Sequence, residues 1–289
     1  VDAKWHSLVA ETQFASELTI SGLRRLCTVP TDIDPDRWIG DDRNYVLPVG
    51  LHAFSSGLER LCKLTIACYT YATTGSFPRL RDFSHRIGEL LDAVEALDRT
   101  QLPRQSKRQR TRPAGAIQPD LIATVERYAS GGGRYEHLDS LWRPDAVVST
   151  YKEWVALSRR ASVPAEVGDL MSMRSVLEDV VMAELIEAGL EVSAETFVQG
   201  HDRGMHEASV GVVLDLFRQV RWVSTVLIDA TDQTHPDLPI LSEVVGAFGL
   251  SSTDFFAYVL AGLADDQAVA IELESVLPRM EQRERDAAD

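Results

Sequence analysis

Residues 57–64 read GLERLCKL and residues 84–91 read SHRIGELL. Both place leucines three and four residues apart beside charged groups, the pattern of a helix with one apolar face and one polar face. The first stretch belongs to a longer run, in which Leu51, Phe54, Leu58, Leu61, Thr65 and Cys68 alternate in threes and fours. That spacing predicts a core helix of about five turns, ended by Gly75 and Pro78. The second stretch belongs to a helix predicted over 82–98, with Phe83, Ile87, Leu90, Leu91, Val94 and Leu97 on one face and Asp82 or Ser84 as its cap. The connection is short, so the two helices are expected to be antiparallel neighbours.

Upstream, residues 5–27 carry Leu8, Phe14, Leu18, Leu23 and Leu26 at mixed helical spacing, before a loop marked by Pro30, Asp34, Pro35, Gly40 and Asp41. Residues 1–44 therefore read as an N-terminal helical arm or helix pair. Downstream, residues 100–119 lose the apolar period and gain Arg104, Lys107, Arg108, Arg110 and Arg112 with Pro103, Pro113 and Pro119, an exposed basic loop. Further helices are predicted at 119–130, 145–160, 168–190, 203–231, 239–248 and 252–280, the last broken near Asp265. The helix at 203–231 has a broad stripe of Met205, Val212, Leu216, Val220, Val223, Leu227 and Ala230, suited either to the core or to a subunit interface in a homodimer. No alternating strand and no fixed repeat is visible, so the fold is predicted to be all-α. The expected organisation is a bundle over 45–164 and a C-terminal helical region, 165–289, packed on it or forming a second domain.

The 289 residues suffice for a large core, and 45% hydrophobic with 25% charged residues is a globular composition. A formal charge of −15 excludes a protein that coats nucleic acid or an anionic membrane with its whole surface, while leaving room for a local basic site. Cys27, Cys62 and Cys68 have no metal-ligand spacing and read as buried thiols in a reducing compartment. No signal-peptide plan and no membrane-length apolar run is present, so a cytoplasmic protein without membrane association is expected.

The chemistry-bearing residues gather around the opening pair. Glu59 and Lys63 are four apart and Arg60 and Lys63 three apart, so on a helix all three can share one side beside the Leu58 and Leu61 stripe. They read either as an exposed ion pair with arginine as solvent cover, or as a polar site at the edge of the core. His85 is predicted at the start of the next helix, where the positive end of the helix dipole favours a neutral imidazole. A neutral histidine near an arginine is the minimum set for moving a proton at a phosphodiester while a guanidinium holds the phosphate. It reads equally as a capping or packing residue.

On these residues the chain resembles the HEPN superfamily of helical bundles. GLERLCKL is similar to its first core helix, residues 84–94 (SHRIGELLDAV) to its histidine-led second motif, and residues 133–141 (GRYEHLDSL) to a tyrosine-containing segment of larger bacterial members. The resemblance implies an HEPN-like bundle over about 45–160, and an RNA- or nucleotide-directed component of a bacterial stress, toxin–antitoxin or phage-defence response. Catalytic members are metal-independent ribonucleases with four to six residues between an arginine and the histidine, and non-catalytic members bind nucleotides or partner proteins. Arg79 stands five intervening residues before His85, yet it follows Pro78 and precedes Leu80 where members carry a polar residue, so the match is closer to the lysine-plus-histidine type. In the ribonuclease case the resemblance implies His85 as general base, Arg79 or Arg81 on the scissile phosphate, Lys63 and Arg60 stabilising the transition state, and Glu59 orienting the cations. In the other case the same residues form a structural network, and the helical faces recognise a cognate partner protein.

Other clusters are weaker. Arg104, Lys107, Arg108, Arg110 and Arg112 form either a solvated linker or a non-specific phosphate track, since no aromatic interleaves them to stack bases. His201 and His206 are five apart, which diverges on a helix where zinc would need four, so no metal site and no cofactor is expected. Gly131, Gly132 and Gly133 before Arg134, Tyr135 and His137 read as a turn between helices rather than a nucleotide-binding loop.

Overall fold

A computed structural model describes residues 3–31, 45–80, 83, 85–102, 111–131, 133–143, 149–163, 207–231, 238, 239, 241 and 248. The fold is all-α. The described helices are α1 (Ala3–Cys27), α2 (Val46–Thr74), α3 (Ile87–Glu95), a 3-10 turn (Arg99–Gln101), α4 (Gln118–Ala129), α5 (Glu136–Asp139), α6 (Thr150–Ser158) and α7 (Glu207–Thr231). Among the described residues, no helix is long and apolar enough to cross a membrane. The predicted helices at 168–190 and 252–280 lie outside the described residues, as does most of 239–248.

The central element is α2, and its largest interface is with α1. Its first turn contains Pro48, where no intrahelical N–H is required. It ends where the sequence predicts: Gly75 adopts φ 75°, a left-handed cap that L side chains avoid, and its N–H bonds the Tyr71 carbonyl at 2.8 Å. Beyond the cap, Phe77 folds back to stack on Tyr71 with ring centroids 4.4 Å apart.

The α1–α2 seam joins small residues to three of the leucines that the sequence pattern picks out. α1 buries Leu8, Leu23 and Leu26 together with Thr12, Ala15, Ser16, Thr19 and Gly22. A Cβ on Gly22 would stand 2.5 Å from the Phe54 amide nitrogen, and one on Gly57 would stand 2.7 Å from the Thr19 nitrogen. The helices approach until backbone meets backbone, and hydroxyls survive in the seam because they bond back along their own helix, as Thr19 Oγ1 does to the Ala15 carbonyl at 2.7 Å. Phe14, expected on the apolar face, is 49% exposed and lies under the Arg60 guanidinium instead, 4.8 Å from the ring centroid.

α3 begins at Ile87, later than the predicted 82, and His85 sits in the turn ahead of it. The predicted caps, Asp82 and Ser84, lie outside the described residues. The first turn of α3 is instead satisfied from another helix, since the Gly88 N–H donates to Glu126 Oε2 of α4 at 2.6 Å. Beyond α3, Asp98 caps the short turn by accepting from the Thr100 N–H at 3.0 Å.

α7 closes the core. Val212, Leu216, Phe217, Val220, Val223 and Leu227 are buried in the same cluster as Leu51, Leu58 and Leu61 of α2, so the broad stripe of α7 is covered by the chain itself. Its polar groups are tied in across long sequence separations. Asp229, fully buried, pairs with Arg99. Gln219 bonds Gln118 and donates to the Pro113 carbonyl at 3.0 Å. Trp154 of α6 donates to Ser209 Oγ at 3.1 Å, and Ser209 donates to the Val29 carbonyl at 2.7 Å beyond the end of α1. Buried donors and acceptors left without these partners would each cost about 1–3 kcal/mol. Cys27, Cys62 and Cys68 are buried thiols, as predicted, and burial pushes each up to about 12.

Candidate functional site

The face of α2 turned away from the α1 seam carries His52, Ser56, Glu59 and Lys63 at steps of four, three and four residues, which align along one side of a helix. Beside it opens a cleft of about 430 Å³ whose charged lining is Glu11, Glu59, Arg60, Lys63, His85 and Arg134. α1 supplies Glu11, α2 the central three, the turn before α3 supplies His85, and the turn after α4 supplies Arg134.

Glu59 is the hub. One carboxylate oxygen accepts from Lys63 Nζ at 2.6 Å, and the other meets His85 Nδ1 at 2.8 Å. Its side chain is only 14% exposed while that of His85 is 53% exposed, so the carboxylate is the sheltered partner and the imidazole reaches into solvent. Burial alone would raise the Glu59 carboxyl, but hydrogen bonds from Lys63 and His85, with their charges, outweigh it and hold the group below the usual carboxylate range. An ionised carboxylate only accepts hydrogen bonds, so Nδ1 is the donor. In neutral His85, Nε2 is then the unprotonated nitrogen, fixed in orientation by Glu59 and available to take a proton.

Arg60 is engaged twice, by an ion pair to Glu11 and by the Phe14 ring. This places a guanidinium at the rim of the cleft, with the α1–α2 packing setting its position.

Arg134 arrives by a different construction. Gly131 turns the chain after α4 with φ 104°, outside the range of ordinary L residues, and a Cβ on Gly133 would fall 2.5 Å from Cδ2 of Tyr128. The glycines therefore let the chain double back tightly against Tyr128 and deliver the next side chain into the cleft. Burial and then the Arg134 charge push the His52 imidazole below its ordinary range.

The structure thus brings Glu59, Arg60, Lys63 and His85 to one cleft, while Arg79 is exposed and does not line it. The reason is local: after the Gly75 cap and Pro78 the chain runs along the surface, and Leu80, not Arg79, contributes to the cleft. Arg81, Arg104, Lys107, Arg108 and Arg110 lie outside the described residues, as do His201, Asp202 and His206. Arg112, the described end of the basic loop, is bound to Asp92 at 2.5 Å and Glu95 at 3.3 Å on α3. Sequence reasoning missed Glu11, which carries no local signal, and read Arg134 with the glycine run before it as a turn rather than as part of the site.

No protein-family model, no curated protein and no solved structure matches this chain.

Proposed function

We propose that the chain is an HEPN-like, RNA-directed component of a bacterial stress, toxin–antitoxin or phage-defence response, acting in the cytoplasm as a metal-independent ribonuclease at the Glu59–His85 cleft. The observation that carries this reading is the 2.8 Å contact between Glu59 and His85 Nδ1 at the edge of a cleft that also holds Arg60, Lys63 and Arg134. A carboxylate that fixes a solvent-reaching imidazole is the arrangement of an oriented general base.

In the proposed reaction, His85 Nε2 takes the proton from a ribose 2′-hydroxyl. The 2′-oxygen bonds to the adjacent phosphorus, and the bond from phosphorus to the 5′-oxygen breaks. The leaving oxygen takes a proton from water, giving a 2′,3′-cyclic phosphate and a 5′-hydroxyl. Lys63 and Arg60 offset the charge that grows on the phosphoryl oxygens. With Arg79 outside the cleft, the role that the family resemblance gives it passes to these cations. The test is incubation of the full chain with total RNA in chelator beside His85→Ala. Cleavage by the wild type, lost in the variant, is expected; no cleavage, or equal cleavage by both, overturns the reading.

One observation favours a second reading, a non-catalytic module that recognises a partner protein. Tyr135, Leu138, Leu141 and Trp142 follow one another around α5 and are 56–87% exposed. Exposed apolar groups in such density are a feature of interaction surfaces. On that reading, substitution of Trp142 abolishes partner capture while His85→Ala leaves it intact.

A further inference from the structure

We propose that Arg134 forms a second phosphate subsite of the cleft, one position along the backbone from the phosphate at His85, so that the ligand is a single RNA strand engaged through at least two successive phosphates. This rests on the ribonuclease reading above and adds to it the length of substrate that the site requires.

Among the described residues, Arg134 has no carboxylate partner, and its Nε is buried without a hydrogen-bond partner. The other cations of the cleft each have a carboxylate partner within the protein, Lys63 in Glu59 and Arg60 in Glu11. The Arg134 Nε is closed to solvent, so it is the terminal nitrogens, which have no protein partner among the described residues, that an anion in the cleft would complete. The local backbone is specialised to put it there, with a left-handed Gly131 and with Gly133 too close to Tyr128 for any side chain. A planar guanidinium suits bidentate contact with a phosphate.

Position separates this subsite from the reacting one. His85 enters the cleft from the turn before α3 and meets Glu59, whereas Arg134 enters it from the turn after α4. The cleft they share is about 430 Å³, more room than a single phosphate group fills. A strand lying in it meets His85 from one wall and Arg134 from another.

The test uses the full chain and 2′-O-methyl oligoribonucleotides, which bind without being cleaved: a dinucleotide with one linking phosphate and a tetranucleotide with three. Arg134→Gln should weaken the tetranucleotide roughly tenfold, the worth of one charge-assisted contact, and leave the dinucleotide unchanged. In the wild-type protein, the pH titration of the His52 ring protons by NMR should move up when the tetranucleotide binds and stay put with the dinucleotide. The second measurement needs no variant, so a folding defect in Arg134→Gln leaves the proposal exposed to refutation. Equal loss for both lengths, no loss for either, or a His52 titration indifferent to the tetranucleotide overturns the subsite while the cleavage reading stands. Failure of the wild type to bind either oligonucleotide or to cleave RNA overturns both.

Discussion

The two long faces of α2 are built on opposite principles. The face toward α1 turns on close approach at glycines, with Gly57 and Phe54 meeting Thr19 and Gly22 at backbone distance and Gly50 against the Leu26 side chain. The opposite face brings Ser56, Glu59 and Lys63 to the cleft, where Glu59 holds Lys63 from the same helix and His85 from the turn before α3. The motif GLERLCKL contributes to both at once: Gly57 belongs to the seam and Glu59, Arg60 and Lys63 to the cleft. Shape holds one face and charge the other, so substitutions on the two faces should fail in different ways.

The largest effect is expected at the seam. Gly57→Ala should destabilise by about 3 kcal/mol, near the upper end for an overpacked core, because the new methyl meets helix backbone that cannot step aside. Gly75→Ala makes a sharp comparison: its surroundings are open, so only the left-handed conformation is penalised, at about 1–2 kcal/mol. Thermal unfolding of both variants checks the order, and a Gly57→Ala protein as stable as wild type would break the account of the seam.

The closure of the core by α7 comes next. Ser209→Ala leaves the Trp154 indole N–H and the Val29 carbonyl without their shared partner, and should cost about 1–3 kcal/mol in chemical denaturation. A neutral result would mean that water replaces the hydroxyl.

The cleft face should respond to pH where the seam does not. Glu59 is held below the usual carboxylate range, so it contributes stability that is present above its unfolded value and is lost as pH falls through its folded value. The gap in melting temperature between wild type and Glu59→Gln should therefore correspond to on the order of 1 kcal/mol at neutral pH and narrow as the pH falls below the usual carboxylate range. A gap that widens in acid would contradict the assigned partners. The smallest expected effect is a rate. With their thiols pushed up to about 12 by burial, Cys27, Cys62 and Cys68 should be silent to a thiol reagent until the chain unfolds.

The difference between the faces also explains what was legible in the sequence. The all-α class, the end of α2 at Gly75 and the apolar stripe of α7 follow from spacing and terminal residues, which are local properties. The late start of α3 was hidden because its first-turn partner is Glu126, thirty-eight residues away from Gly88. On α1 the spacing found Leu8, Leu23 and Leu26, but periodicity rewards large apolar side chains, so it also picked the exposed Phe14 and passed over the buried Thr12, Ala15 and Thr19. In the site, Glu59 and Lys63 were visible as a helical pair. That His85 would close on the same carboxylate from twenty-six residues away, and that Arg134 would join them, depends on contacts that no window of sequence contains.

The most direct measurement of the central claim is the chemistry of the cut end. An oligoribonucleotide with a single ribose among 2′-deoxy positions, incubated with the full chain in chelator, is resolved by mass spectrometry. The account predicts one cleavage, after that ribose, leaving a 2′,3′-cyclic phosphate, and none when His85 is alanine. Cleavage at a 2′-deoxy position, or an intact strand, would contradict it.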